Sequence, residues 1–228
     1  MAKVMTGMKK SFGSKIRIIV VDDHPIVCRG LCDLINEEPD LEVIAEAADA
    51  DEALQQIELN EPDLVIVDLM LKGTSGIELI KQIRSRFKNI KMLVSSIHDE
   101  TIYAERALRA GATGYVNKQV ATQNIISAIH TVMSGKVYLS DQQSNWMLNQ
   151  FVDVNQKPEN FYINSLSDRE LEIFERFGRG MSTRQIADKL NLSVKTVETH
   201  RENIKKKLNL ENGNELIRCA VHWVLEQG

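Results

Sequence analysis

Two short β-branched runs in this chain stop in carboxylate. Ile16-Arg17-Ile18-Ile19-Val20-Val21 ends in Asp22-Asp23, and Leu64-Val65-Ile66-Val67 ends in Asp68. Apolar runs of this length read as parallel strands buried on both faces. Parallel strands present their carboxyl ends at one edge of a sheet, so the three acids are delivered to one place. Carboxylates gathered there repel one another unless a cation joins them. A divalent-metal site is therefore expected, and metal with carboxylate points to phosphoryl chemistry.

The pattern around these runs repeats. Strands are expected at 16–21, 41–45, 63–67, 91–95 and 113–116, and helical periodicity falls at 25–37, 50–59, 76–86, 100–110 and 122–134. Five such units with short connections predict a parallel sheet covered by helices on both faces. The flavodoxin-like (βα)5 order, 2-1-3-4-5, sets the first and third strands side by side at the switch point, where Asp22, Asp23 and Asp68 would meet. Past Gly135 the pattern weakens to a short helix at 141–150 and a polar stretch, 153–160, with Pro158. From Leu166 it is purely helical. Ser167 with Glu170 forms a capping box, and Ser182 and Ser193 cap two further helices. Helices 168–177, 183–190, 194–208 and 212–225 make an all-α four-helix domain, whose middle pair has helix-turn-helix dimensions. The expected division is an extension at 1–14, an α/β domain at 15–138, a linker with a short helix at 139–163, and the helical domain at 164–228.

Composition adds limits. The chain is 43% apolar and 26% charged with a net charge of −4, so any surface for nucleic acid must be local. No apolar stretch approaches the ~20 residues of a membrane span, and residues 1–14 lack a secretory apolar region. Cys28, Cys32 and Cys219 form no disulfide framework; Cys28 and Cys32 share a helix face with Leu31 and Ile35 and read as buried apolar residues. A reducing cytoplasm suits this usage.

Residues 15–135 resemble the receiver domain of two-component response regulators. The resemblance lies in Val20-Val21-Asp22-Asp23-His24-Pro25, in Asp68 with Gly76 eight residues on, in Ser96, and in Gly114-Tyr115-Val116-Asn117-Lys118. It implies that Asp68 is the phosphoacceptor and that Asp22, Asp23, Asp68 and the Met70 backbone carbonyl hold Mg2+. It further implies that Lys118 and Ser96 attend the phosphoryl oxygens, and that Tyr115 enters space left when Ser96 moves. His24 borders the site with neither role. One position departs: many family members carry proline four residues after the acceptor, and here it is Lys72. A freer loop and an altered dephosphorylation rate follow.

Residues 164–226 resemble LuxR-type DNA-binding domains of the NarL/FixJ class. Leu166-Ser167-Asp168-Arg169-Glu170, Gly180, Ile186-Ala187, Leu190 and the run Ser193 to His200 carry this match, with Ile204, Lys207 and Leu208. Val194, Val197, Ile204 and Leu208 are expected to face the core. Lys195, Glu198, Thr199 and Glu202 would point the other way, into the major groove. Lys195, Thr196, Arg201, Lys205 and Lys206 are the candidate phosphate contacts. Together the two resemblances imply a non-enzymatic transcription regulator. A sensor histidine kinase phosphorylates Asp68, and a homodimer binds promoter DNA at half-sites about one helical turn apart. The alternatives are a phosphorylation-independent DNA-binding protein with a structural receiver, and an aspartyl-nucleophile phosphatase. Met70 stands against the latter, where such enzymes carry a second acid.

Overall fold

A computed structural model describes residues 15–119, 121–152 and 163–226. The expectations for 1–14 and for the polar stretch 153–160 lie outside the described residues. Among the described residues no helix is long and apolar enough to cross a membrane.

Strands β1 (Ile16–Val21), β2 (Leu41–Ala47), β3 (Leu64–Val67), β4 (Lys91–Ser96) and β5 (Gly114–Asn117) form one parallel sheet in the order β2-β1-β3-β4-β5, as expected. Helices α1 (Pro25–Asn36) and α5 (Ala121–Met133) belong to one face. Helices α2 (Ala50–Asn60), α3 (Gly76–Arg86) and α4 (Glu100–Ala110) belong to the other. Side chains along β1 alternate accordingly: Ile18 and Val20 pack with Cys28, Cys32 and Ile125, while Ile19 and Val21 pack with Leu54, Ile80 and Ala104. Burial on both sides is why the runs carry no polar alternation. The two cysteines are core residues at 3% and 6% exposure, and in sequence they read the same way.

Register sets the acidic edge. Val21 pairs with Val67, so Asp22 and Asp68 leave the sheet together. Ser96 pairs with Asn117, and the Lys118 amide donates to the Ser96 carbonyl at 2.8 Å. β4 thus runs one residue past its expected end and carries Ser96 to the same rim. After α5 the chain returns beside β5, where the Tyr115 amide donates to the Tyr138 carbonyl at 2.9 Å.

Helix α6 (Asp141–Val152) is followed, beyond the undescribed stretch, by a 3₁₀ turn at Ile163–Ser165. Then come α7 (Asp168–Gly178), α8 (Thr183–Lys189), α9 (Val194–Lys207) and α10 (Gly213–Glu226). The Ser167–Glu170 capping box is present, and Ser182 makes a second with Gln185. Leu171, Phe174, Ile186, Val197, Ile204, Leu216 and Trp223 are buried together. Val194 is not among them: at 46% exposure it corrects the expected core stripe. It is the first residue of α9, one turn before the packed stripe begins at Val197.

Helix α7 is buried from Glu170 to Phe177, charged residues included, because it lies between the two domains. Its apolar side feeds the helical core. Its charged side meets the α/β domain. Asp168 accepts from Lys81 at 3.0 Å and from Arg106 at 3.1 Å. Arg106 also donates to the Leu166 and Ile163 carbonyls, and Arg169 donates to the Gly73 carbonyl.

Gly76 opens α3 directly beneath the Asp68 loop. A Cβ there would overlap the Asp68 carbonyl oxygen and come within 2.6 Å of the Leu69 Cα. Both obstacles are backbone, so they cannot rotate away. Gly76→Ala should lower unfolding stability by about 1–3 kcal/mol in denaturant titration, the usual cost of overpacking.

Candidate functional site

Asp22, Asp68 and Lys118 meet at the carboxyl edge. Lys118 Nζ lies 2.7 Å from Asp22 Oδ2 and 2.7 Å from Asp68 Oδ2. The Asp22 and Asp68 side chains are almost wholly buried, at 2% and 3% exposure. Burial pushes the Asp68 carboxyl upward; Lys118 opposes this, Asp22 adds to it, and the net direction is up. Burial also works against the Lys118 ammonium, but the two carboxylates outweigh it and hold its pKa above the ordinary lysine value. A single ammonium serves two buried acids, so negative charge is in surplus.

Asp23 and His24 complete the cluster. His24 is the N-cap of α1, and its Nδ1 lies 2.7 Å from Asp23 Oδ1 and 3.3 Å from Asp22 Oδ1. Ligand atoms of Asp22, Asp23, His24 and Asp68 all fall within 4.8 Å of one another. Asp68 Oδ1 is buried with no hydrogen-bond partner. Unsatisfied carboxylate oxygens in an oxygen-rich, net-negative set fit a hard divalent cation. His24 is closer to this set than expected from sequence; its backbone amide also donates to Asp22 Oδ1 at 2.9 Å.

Ser96 is fully buried, and its hydroxyl lies 3.4 Å from the His98 amide. Tyr115 is already inside, 1% exposed, with its hydroxyl donating to the His98 carbonyl at 2.9 Å. His98 connects the domains. Its Nδ1 lies 3.0 Å from Glu175 Oε2 on α7, and the Tyr103 hydroxyl donates to the same oxygen at 3.0 Å. The His98 and Tyr103 rings lie 4.6 Å apart. Burial alone would raise the Glu175 pKa, but His98 and then Arg179 overcome it and pull it to about 2. Beside this group, Arg176 donates to Glu172 at 3.0 Å and to the Met70 sulfur at 3.3 Å. No local motif marks His98, Tyr103 or Glu175. Only α7 being charged on one face and apolar on the other hints at a second packing partner.

On α9, Lys195, Thr199, Glu202 and Lys206 are exposed, and Glu198 is partly so. The α/β domain therefore docks on α7 and leaves the outer face of α9 uncovered. Thr196 shares a 2.7 Å hydrogen bond with Ser193, and Lys205 pairs with Glu202 at 2.8 Å. Arg201 is partly buried, its guanidinium 5.6 Å from the centre of the Phe177 ring and 3.6 Å from Glu198 Oε1.

Residues 18–130 match the family described as the response regulator receiver domain, and residues 164–220 match the bacterial regulatory proteins of the luxR family. Oxygen regulatory protein NreC of Staphylococcus carnosus is 37% identical over 212 residues, which is 90% of this chain and 97% of that protein. A LuxR-family two-component response regulator from Aurantimonas sp. SI85-9A1 shares 37% identity and superposes with a TM-score of 0.57, covering 61% of this chain and 99% of its own. A structure of two RcsB dimers bound to two parallel DNAs shares 25% identity at a TM-score of 0.56, over 94% of this chain and 99% of that one.

The charge surplus predicts a metal response. Mg2+ should raise the melting temperature of the wild-type chain, by about 2.7 kcal/mol of added stability at a hundredfold excess over Kd. Differential scanning fluorimetry should show that shift abolished in Asp22→Ala.

Proposed function

The chain belongs to the two-component response regulators that join a receiver domain to a LuxR-type helix-turn-helix, and we propose that Asp68 is its phosphoacceptor and α7 the element that carries the signal. The observation that carries this reading is the Asp68 carboxylate. One of its oxygens is held by Lys118, and the other is buried without a partner. The unpaired oxygen is the nucleophile. A histidine kinase offers a phosphohistidine; the P–N bond breaks, an Asp68 O–P bond forms, and the imidazole leaves with a proton. Lys118 stays beside the new phosphoryl oxygens. Asp22, Asp23 and Asp68 with the Met70 carbonyl would hold Mg2+, which when bound neutralises charge on the transferring oxygens.

Ser96 reads the product. Turning its hydroxyl toward a phosphoryl oxygen gives up the His98 amide. The segment Ser96–His98 then shifts, drawing the His98 ring from Glu175 and the His98 carbonyl from Tyr115. Losing a buried hydrogen bond to a charged group costs about 1.5–3 kcal/mol. That moves the docked-to-undocked ratio of α7 by a factor of about 10 to 100. A freed output domain can pair with a second copy. The RcsB relative solved as dimers on DNA supports that pairing, and the N-terminal part of α9 would enter the major groove. Lys195, Thr196, Lys205 and Lys206 would contact phosphates, while Glu198, Thr199 and Glu202 border the bases. Arg201 serves the fold through Phe177 in the docked form. The target is promoter DNA, and the setting is the cytoplasm.

Phosphotransfer tests the acceptor: wild-type chain should become labelled and Asp68→Asn should not. Gel-shift titration at fixed salt should then show tighter DNA binding for labelled protein only. A second prediction concerns α7. Glu175→Gln should bind DNA several-fold more tightly than wild type without phosphorylation, because docking is already weakened. The same contact is acid-sensitive. Glu175 has a depressed pKa, so its stabilisation is present above the ordinary carboxylate value of 4.5 and is lost as pH falls toward about 2.

A further inference from the structure

Cys28 and Cys32 sit about one turn apart on the buried face of α1, and core packing accounts for their burial. It does not account for the carboxylate beside them. The Cys28 thiol donates to Glu46 Oε2, on β2, at 3.2 Å. A break in register makes that approach. Val43 pairs with Ile18, but the next residue of β1, Ile19, pairs with Ala45, so Ile44 is the extra residue of a bulge. Beyond it Glu46 pairs with Val20, which belongs to the same core as both cysteines. Strict alternation from Val43 would have put Ala45 on this face and turned Glu46 to the opposite one. Bulges on edge strands re-aim side chains in this way, and β2 is an edge strand.

The sulfurs of Cys28 and Cys32 and a carboxylate oxygen of Glu46 all fall within 4.8 Å of one another. We propose that these three side chains form a second metal site, separate from the acidic edge, for a thiophilic divalent cation of the Zn2+ class. Two soft sulfurs with one carboxylate are a donor set for Zn2+ rather than Mg2+. Two sulfurs on a tetrahedral Zn2+ stand about 3.8 Å apart, within reach of side chains at this helical spacing. A disulfide suits the pair less: such neighbours keep their Cβ atoms about 5–6 Å apart, and a disulfide needs about 3.5–4.5 Å. Glu46 is exposed while both cysteines are buried, so the cation enters along the carboxylate and keeps a water as its fourth ligand on that side. Without the cation the Cys28 thiol stays protonated; its hydrogen bond with Cys32, then burial, then Glu46 push its pKa up. Binding releases the two thiol protons to solvent. It also ties α1 to β2 beside the acidic edge, where the Asp22 amide donates to the Ala47 carbonyl at 3.0 Å.

The test adds Cd2+ to the reduced full chain carrying Cys219→Ser, with Mg2+ in excess to compete for the acidic edge. A thiolate-to-cadmium ultraviolet absorption band should rise and saturate at one Cd2+ per chain, and added Zn2+ should displace the Cd2+. Bound carboxylates alone give no such band, so the readout is specific to the cysteines. A further Cys28→Ser or Cys32→Ser change should lower the band, and the two together should abolish it. Glu46→Gln alters an exposed side chain and spares the core. It should weaken binding by about tenfold or more, since even the outer partners of metal ligands are worth that much. Absence of the band in the Cys219→Ser chain overturns the site, as does equal affinity in Glu46→Gln.

Discussion

The structure depends on one electrostatic imbalance. Parallel strands in fixed register bring Asp22 and Asp68 to one buried edge, and a single ammonium, Lys118, spans both. One cation cannot neutralise two carboxylates, and Asp23 adds a third beside them. Burial raises the cost of that surplus, since low dielectric strengthens repulsion as well as attraction. Such an oxygen-rich, net-negative site suits a hard divalent cation. The same packing that stabilises the sheet keeps the acids close, so charge strain and fold stability are bound together.

Helix α7 joins the receiver to the helical domain. It serves two interfaces at once. Leu171, Phe174 and Phe177 are buried in the helical core. Asp168, Arg169, Glu175 and Arg176 face the receiver through Lys81, Arg106, Gly73, His98 and Met70. The apolar side is permanent because its burial is not optional. The polar side is reversible, since each bond broken there can be replaced by water at small net cost. A domain joined by polar contacts to its neighbour is suited to exchange between docked and free states. The outer face of α9 stays exposed in the docked form.

Much of this was legible in the sequence. The strand runs of β1 and β3 end in acid, so the sheet order and the meeting of Asp22, Asp23 and Asp68 followed from pattern and topology. Ser167, Ser182 and Ser193 marked three helix starts through their capping chemistry. What escaped lay between elements distant in sequence. His98 and Glu175 are 77 positions apart by their numbers, and nothing local binds either to the other. Val194 fits the helical period yet sits off the end of the packed stripe, because periodicity gives a face but not how far packing extends along it. Arg201 reads as a phosphate contact by charge, and its guanidinium also lies 5.6 Å from the centre of the Phe177 ring, a neighbour that only the tertiary fold supplies.

The central claim is that the state of Asp68 sets the docking of α7. Pulsed electron resonance on a chain spin-labelled at Arg109 and Lys206, with Cys219 replaced by serine, measures it directly. Dilution with unlabelled protein confines the signal to distances within one molecule. Without phosphorylation a single narrow distance is predicted. With Asp68 phosphorylated, the distribution should broaden and move to longer values, and it should stay narrow in Asp68→Asn. An unchanged narrow distance in fully phosphorylated protein would contradict the account.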